Sequence, residues 1–307
     1  MRSACMAEGV EEKAGSFMQD AKFRSDYPRL RVYKNEKRSD ARLQEHYILE
    51  TGLARRLKDA TAAERATVYG EVYTALFQGL ADHPQITKTD ESRLRHIDQL
   101  IGLIRGFLSK DATVMEVGCG DARMSFRLAD RVKQAIGVDV TNALVNFSAA
   151  PANFRFVKTD GIAIELPDQS VDFVYSDQLI EHLHPDDAPA QLREIFRVLK
   201  SGGSYWVATP SRVTGPHDIS QYFDFAATGF HLKEYSYSDL RRLLRANGFA
   251  KVSFYLVKSG HAFRVPTSLL LLLEAAALAL PPVMRARVVN NRIGSALFGL
   301  FAVGTKA

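Results

Sequence analysis

Beyond Thr113 the chain alternates short runs rich in β-branched, aromatic and aliphatic residues with amphipathic stretches, and no other feature of the sequence constrains its fold as strongly. Thr113 to Val117, Gln134 to Val140, Phe154 to Thr159, Val171 to Ser176 and Ser204 to Thr209 read as five strands. Between the last two, Leu192, Ile195, Phe196 and Leu199 form an apolar stripe at helical spacing, which Ser201-Gly202-Gly203 stops. This is the signature of a parallel sheet covered by helices on both faces. A further helix over Ser238 to Ala246 turns Leu240, Leu243 and Leu244 inward; Ser236 and Asp239 before it have capping-box spacing, and Asn247-Gly248 ends it. Phe249 to Val257 reads as a sixth strand and Leu297 to Gly304 as a seventh. The apolar segment 267–280 between them reads as part of a helical insertion near the sheet's edge, at about 262–295. Being leucine on nearly every side, that segment is expected to be buried against the core or a partner.

Ahead of the alternation the texture is helical. From Ala41 to Leu108 the sequence reads as helices, and Tyr69, Val72, Tyr73, Leu76, Phe77 and Leu80 recur at helical spacing until His83-Pro84 ends the run. The first 40 residues are polar and basic, and a flexible tail is expected there. Ala21 to Arg42 carries eight basic and three acidic side chains, an excess as large as the net charge of +5 on the whole chain. A patch of that kind attracts nucleic acid or anionic lipid. The expected organisation is thus a basic tail over 1–40, a helical extension or cap over 41–108, and a main domain over 109–307 that contains the insertion.

With 307 residues, 46% of them apolar, the chain can bury a substantial core. Cys5 lies in a polar stretch and Cys119 between two glycines, so neither belongs to a disulfide framework or a metal-ligand cluster, and a reducing cytoplasm is the expected location. The start, MRSACMAEGVEEKAG, has no apolar core of a secretory signal. Leu269 to Leu280 is interrupted by Glu274 and closed by Pro281 and Pro282, and is too short for a bilayer span of about 20 apolar residues.

The first strand ends in Glu116-Val117-Gly118-Cys119-Gly120-Asp121-Ala122, with a helix directly after it. Glycines there let the chain turn sharply and a ligand approach the backbone, while the helix offers free N–H groups to an anion. Asp139, nineteen residues past Gly120, closes the second strand, where a carboxylate can accept hydrogen bonds from both hydroxyls of a ribose. A dinucleotide site wants a third glycine where Arg123 stands, and Glu116 would sit unfavourably close to phosphate charge. An acidic residue two before the first glycine suits an ammonium group better.

EVGCGDA, GVDV, KTDG, FVYSDQLIEHL and LREIFRVLKSGGSYWVATP, in that order over Thr113 to Lys258, resemble the class I S-adenosylmethionine-dependent methyltransferase family in its widespread small form. The resemblance implies a Rossmann-like, seven-stranded, mostly parallel sheet and S-adenosylmethionine as cofactor. It implies that Glu116, Gly118 and Gly120 surround the methionine part and that Asp139 holds the ribose. Asp160 would bond the adenine amino group with Gly161 beside it, and Ser176, Asp177 and Gln178 would form the floor after the fourth strand. The family often has a third glycine where Ala122 stands; alanine is tolerable if that residue keeps a negative φ.

The sulfonium methyl of such a cofactor is already activated, so the protein's task is to align donor and acceptor and exclude water. A hydroxyl acceptor also needs a base. His182, His184, His217 and His231 all fall on loops expected at the carboxyl edge of the sheet. His231 and His182 are the catalytic candidates, with His231 rather than His217 expected over the methyl group. No metal is expected. The alternative is Glu181, His182 and His231, since Gln178 to His182 with a distant histidine is similar to the Glu-x-x-Glu-His plus histidine arrangement of metal-using RNA 3'-end methyltransferases, although Gln178 stands where those have glutamate. The expected acceptor is a small molecule or a saccharide or lipid-linked molecule, because no separate RNA- or peptide-binding module is visible. Nucleic acid, protein and a non-catalytic cofactor-binding role are the alternatives, and the 267–280 segment offers a peripheral membrane contact.

Overall fold

The computed structural model describes residues 21–80, 90–258 and 260–307. Cys5 and His83-Pro84 lie outside the described residues, as does the side chain of Phe77. The helices that precede the sheet are α1 (Tyr27–Tyr33), α2 (Asp40–Asp59), α3 (Ala62–Gly79) and α4 (Asp90–Ile104). There follow β1 (Thr113–Val117), α5 (Arg123–Ala129), β2 (Gln134–Asp139), β3 (Phe154–Lys158), β4 (Val171–Asp177), α6 (Asp187–Val198) and β5 (Leu199–Thr209). The last part holds α7 (Tyr237–Ala246), β6 (Lys251–Lys258), β7 (His261–Val265), α8 (Thr267–Leu278), α9 (Pro282–Val289), α10 (Arg292–Leu297) and β8 (Leu300–Thr305).

One Rossmann-like sheet runs in the order β3-β2-β1-β4-β5-β8-β6-β7. The five strands from β3 to β5 are parallel, whereas β8 pairs antiparallel with both β5 and β6. The chain winds outward in one direction through β2 and β3 and in the other through β4 and β5. The carboxyl end of β1 therefore opens on a crevice at the switch point, where open α/β sheets bind ligands. The sheet has eight strands rather than seven. The eighth is β7, which folds back on β6 across a turn with Gly260 at φ +74°, in a stretch that the sequence suggests is largely helical. Leu199, which continues the helical stripe in sequence, opens β5 and pairs with Val171.

Alternate residues of each strand feed two apolar layers. Val114, Phe173 and Trp206 pack with Ile101 and Ile104 of α4 and Leu128 of α5. Their neighbours Met115, Val174 and Val207 pack with Val72 and Leu76 of α3, Leu192 and Ile195 of α6, and Leu240 and Leu244 of α7. The period of two in a strand produces this division. Ser236 and Asp239 form the expected capping box at α7.

Two parts of the chain pack differently from their sequence reading. Residues 21–40 include α1, whose Tyr27 and Leu30 are buried against Ile219, Tyr222 and Phe223. The three acids of this stretch are each paired with one of its basic residues, Asp26 with Arg24, Asp40 with Arg31 and Glu36 with Arg38. The apolar helix α8, expected to be buried all round, buries one face, Leu270, Glu274 and Ala277, and leaves Leu269 and Leu272 48% and 68% exposed. Glu274 is buried because its carboxylate accepts from the backbone N–H groups of Tyr237 and Ser238 at the start of α7, where the helix dipole favours negative charge. No described helix is long and apolar enough to cross a membrane.

A buried ion pair fixes the helical extension to the sheet domain. Arg65 of α3 binds Asp187 of α6 with both ends of its guanidinium, at 2.7 and 2.6 Å, and Tyr69 adds a hydrogen bond to the same carboxylate at 2.9 Å.

Candidate functional site

The turn after β1 is held from below by β2. The N–H groups of Gly118 and Cys119 donate to Val138 O, at 2.8 and 3.1 Å, and Gly120 N–H donates to Asp139 Oδ2 at 2.9 Å. Gly118 has φ +77°, a conformation that favours glycine, and a Cβ there would crowd the side chain of Leu179 in the loop after β4 at 3.0 Å. Ala122 also lies in the left-handed region, at φ +60°. The expected negative φ is not found; alanine bears a cost of about 1 kcal/mol here, and this conformation accounts for the glycine common at the position in the resembled family.

Glu116, at the end of β1, is 8% exposed and accepts from Ser125 Oγ at 2.5 Å. Burial raises its pKa to about 8, against the opposing effect of that hydrogen bond. Asp139 accepts from Gly120 N–H through one oxygen and from Thr141 N–H, at 3.2 Å, through the other. Burial raises its pKa, with those backbone bonds acting the other way. Each oxygen keeps a lone pair for a ligand hydroxyl. Ser176 is fully buried and shares a hydrogen bond with Tyr205 OH at 2.7 Å, so it supports the floor from inside, while Asp177 beside it is partly exposed and lies 4.0 Å from His96.

Asp160 is exposed, and its Oδ1 accepts from the N–H groups of Ile162 and Ala163, both at 2.8 Å. It therefore shapes its own turn and also lines an open cleft of about 620 Å3 whose walls include Thr67 and Gly70 of α3 with Val140 and Phe156. Gly161 has φ +101°, with Tyr69 packed where a side chain would begin.

A second group of polar residues lies in the loops after β4 and β5. Glu181 is buried; Thr209 Oγ1 donates to its Oε2 at 2.8 Å, while Oε1 has no hydrogen-bond partner among the described residues and lies 3.9 Å from His182 Nε2. Burial raises Glu181 to about 7, with the charge of His231 opposing. The rings of His182 and His231 lie 4.9 Å apart. Burial alone would depress the His231 pKa, but the hydrogen bond to Glu234 and the charges of Asp218 and Glu181 outweigh it and raise it to about 9. These partners favour the imidazolium form of His231, which cannot accept a proton. His217 is set apart, bonded to Thr214 Oγ1 at 3.0 Å, and burial lowers it to about 4.

The carboxylates that hold this cluster carry almost no mark in the sequence. Glu234 Oε1 bonds His231 Nδ1 at 2.8 Å and accepts from His217 N–H at 2.6 Å. Asp218 Oδ2 accepts from His231 N–H at 3.2 Å, and Glu50, from α2, accepts from Phe230 N–H at 3.0 Å and bonds His46 Nε2 at 2.7 Å. Gly229 is required for this convergence, since a Cβ there would fall within 2.7 Å of Asp218 Oδ2 and closer still to Glu50 Oε1. The one local signal is His46 and Glu50 at i, i+4 spacing on the face of α2 that also carries Leu43, Ala54 and Leu57. Tyr73 of α3 joins the two groups: its ring lies 6.0 Å from that of His182 and 5.2 Å from that of Phe230, and its hydroxyl feels the charges of both Glu181 and Asp139.

Residues 114–203 match the family described as a methyltransferase domain. A protein of Mycolicibacterium smegmatis named as an S-adenosylmethionine-dependent methyltransferase is 36% identical over 137 residues, 44% of this chain and 51% of that protein. A similarly named protein of Mycobacterium tuberculosis is 33% identical over 141 residues, 46% of this chain and 49% of that protein. The chain thus spans about half the length of the curated relatives it matches. Among solved structures, an S-adenosylmethionine-dependent methyltransferase of Thermotoga maritima is 18% identical and superposes with a TM-score of 0.47, covering 80% of this chain and 98% of that one.

Proposed function

We propose that this chain, which carries a domain of the class I S-adenosylmethionine-dependent methyltransferase family, transfers a methyl group from that cofactor to a hydroxyl of a saccharide or lipid-linked small molecule. The observation that carries the reading is the buried Glu116 beside the left-handed Gly118 turn, with Asp139 bonded to Gly120 below it. A carboxyl in that position gives an ammonium a charged partner in a low-dielectric setting. Asp139 would take the ribose hydroxyls, and Asp160 and Gly161 the adenine edge. When bound, the cofactor supplies an activated sulfonium methyl that needs only an aligned nucleophile. The chain's task is then to close the crevice with Tyr73 and Leu179, to exclude water, and to hold the acceptor against Glu181, His182 and His231.

A lipid-linked acceptor is supported by the face built from α8, α9 and α10. Leu272, Met284, Val288 and Ile293 are all more than half exposed there. The charged side chains from Pro266 to Gly299 are the buried Glu274 and three arginines, Arg285, Arg287 and Arg292. Tyr33 OH lies 3.3 Å from Ser295 Oγ, which brings the exposed Val32 of α1 to the same side. Exposed apolar side chains accompanied by arginines and no exposed acid in the same segment suit the surface of an anionic bilayer.

The test is transfer of radiolabelled methyl groups to fractionated extracts. Label should enter a polar-lipid or saccharide fraction with wild-type protein and not with Asp139→Ala. A protein that binds the cofactor but labels only RNA or protein would overturn the acceptor assignment.

A further inference from the structure

We infer that Glu181, His182 and His231 form a binding site for one first-row divalent transition-metal ion. One ligand atom from each lies within 4.8 Å of the others. The second observation is Glu181 Oε1, which is fully buried, has no hydrogen bond among the described residues, and lies 3.9 Å from His182 Nε2. Leaving a buried carboxylate oxygen unsatisfied is costly, and a cation in front of it removes that cost.

The two imidazoles are oriented by partners that fix their tautomers. His182 Nδ1 faces Phe230 O at 2.9 Å; a carbonyl only accepts, so Nδ1 carries the proton and Nε2 the lone pair of the neutral ring. His231 Nδ1 faces Glu234 Oε1 at 2.8 Å, which in the same way turns the lone pair of the neutral ring to Nε2. A carboxylate or carbonyl behind each histidine is the usual outer arrangement of a metal site. Bonds of about 2.0–2.2 Å at tetrahedral or octahedral angles put ligand atoms about 3.0–3.5 Å apart, so side-chain movements of about 1 Å close this set around an ion. Two imidazoles and one carboxylate favour zinc, cobalt, iron or manganese over magnesium or calcium. Three protein ligands leave coordination positions open, and the 17% exposure of the His182 side chain, against 0% for Glu181, marks the side from which an ion and an acceptor oxygen enter.

The metal site does not depend on the methyl-transfer reading; a role in holding an acceptor hydroxyl does. The test is made on the full chain, stripped with a chelator and without cofactor, by titration with cobalt chloride. Visible d–d absorption reports ligation by nitrogen and oxygen, and calorimetry with zinc chloride reports stoichiometry. The expected result is one ion per chain at micromolar affinity or tighter, weakened at least tenfold by Glu181→Gln and by His231→Ala, and about tenfold by Glu234→Gln, which keeps all three ligands. Circular dichroism shows whether each variant is folded. Should they not fold, the wild-type chain still decides, because bound zinc must protect His182 from acylation by diethyl pyrocarbonate as read by mass spectrometry. Absence of saturable binding by the wild-type chain, binding unchanged in a folded Glu181→Gln, or His182 equally reactive with and without zinc would each overturn the site. Cofactor calorimetry on the same preparation is a separate readout, so failure of the metal site and failure of the methyl-transfer reading are distinguishable.

Discussion

Raising the pH from 5.5 to 7.5 should tighten S-adenosylmethionine binding about tenfold per unit, because Glu116 must give up a proton to receive the ligand's ammonium. In the chain alone, burial holds this carboxyl near a pKa of about 8, so at pH 7 it is about 90% protonated. With a cation against it the charged form is favoured and the pKa falls well below the working range. The direction follows from linkage: the free protein carries the extra proton, so ligand binding releases it, and affinity rises with pH until the free group is itself ionised. About 0.9 proton should be released at pH 7, and each unit corresponds to about 1.4 kcal/mol of apparent affinity. The ligand's own amino group titrates near ~7.7–8.0, so the window is read below pH 7.5. Calorimetry in buffers of different ionisation enthalpy counts the protons directly. Glu116→Gln should remove the pH dependence and cost about 1.5–3 kcal/mol at pH 7.5, the usual worth of a hydrogen bond to a charged group. Affinity independent of pH in the wild-type chain, with no proton released, would refute the pairing of Glu116 with the ammonium.

Asp139→Ala should weaken cofactor binding by about 1.5–3 kcal/mol while the fold persists; unchanged calorimetric affinity would mean that Asp139 does not hold the ribose. Arg65→Met should destabilise the chain by about 3–5 kcal/mol in urea unfolding by stranding the Asp187 carboxylate, and adding Asp187→Leu should recover a large part of that loss. The wild-type chain should sediment with vesicles of phosphatidylglycerol and not with phosphatidylcholine alone, and Leu272→Asp with Val288→Asp should abolish it; equal sedimentation of the double variant would remove the bilayer from the account of the α8–α10 face.

The candidate cofactor end of the site was legible as geometry because its pattern is local. Glu116, Gly118, Gly120 and Asp139 sit at the ends of two adjacent parallel strands, where residue type, turn and strand spacing all show in the sequence. The φ of Ala122 was not legible, because alanine gives no sign that the packing around it enforces a left-handed turn. Glu50, Asp218 and Glu234 went unseen for a different reason. In sequence each looks like a solvated charge. Glu50 has a local partner in His46 on the same helix, but its burial also needs Phe230 N–H from a distant loop, and Asp218 and Glu234 are covered only where their loop folds back on the backbone and ring of His231. The charge count of residues 21–40 likewise gives no sign that Tyr27 and Leu30 anchor this stretch against the loop after β5. In α8 the run of leucines has no period, so the sequence did not show that one face alone meets the core.

The most direct measurement of the central claim is calorimetric titration of the purified chain with S-adenosylmethionine, with its demethylated product and with NAD, side by side. The expected result is saturable one-to-one binding of the first two at low-micromolar affinity or tighter and no heat with NAD. Binding of NAD with no heat from S-adenosylmethionine or its product would contradict it.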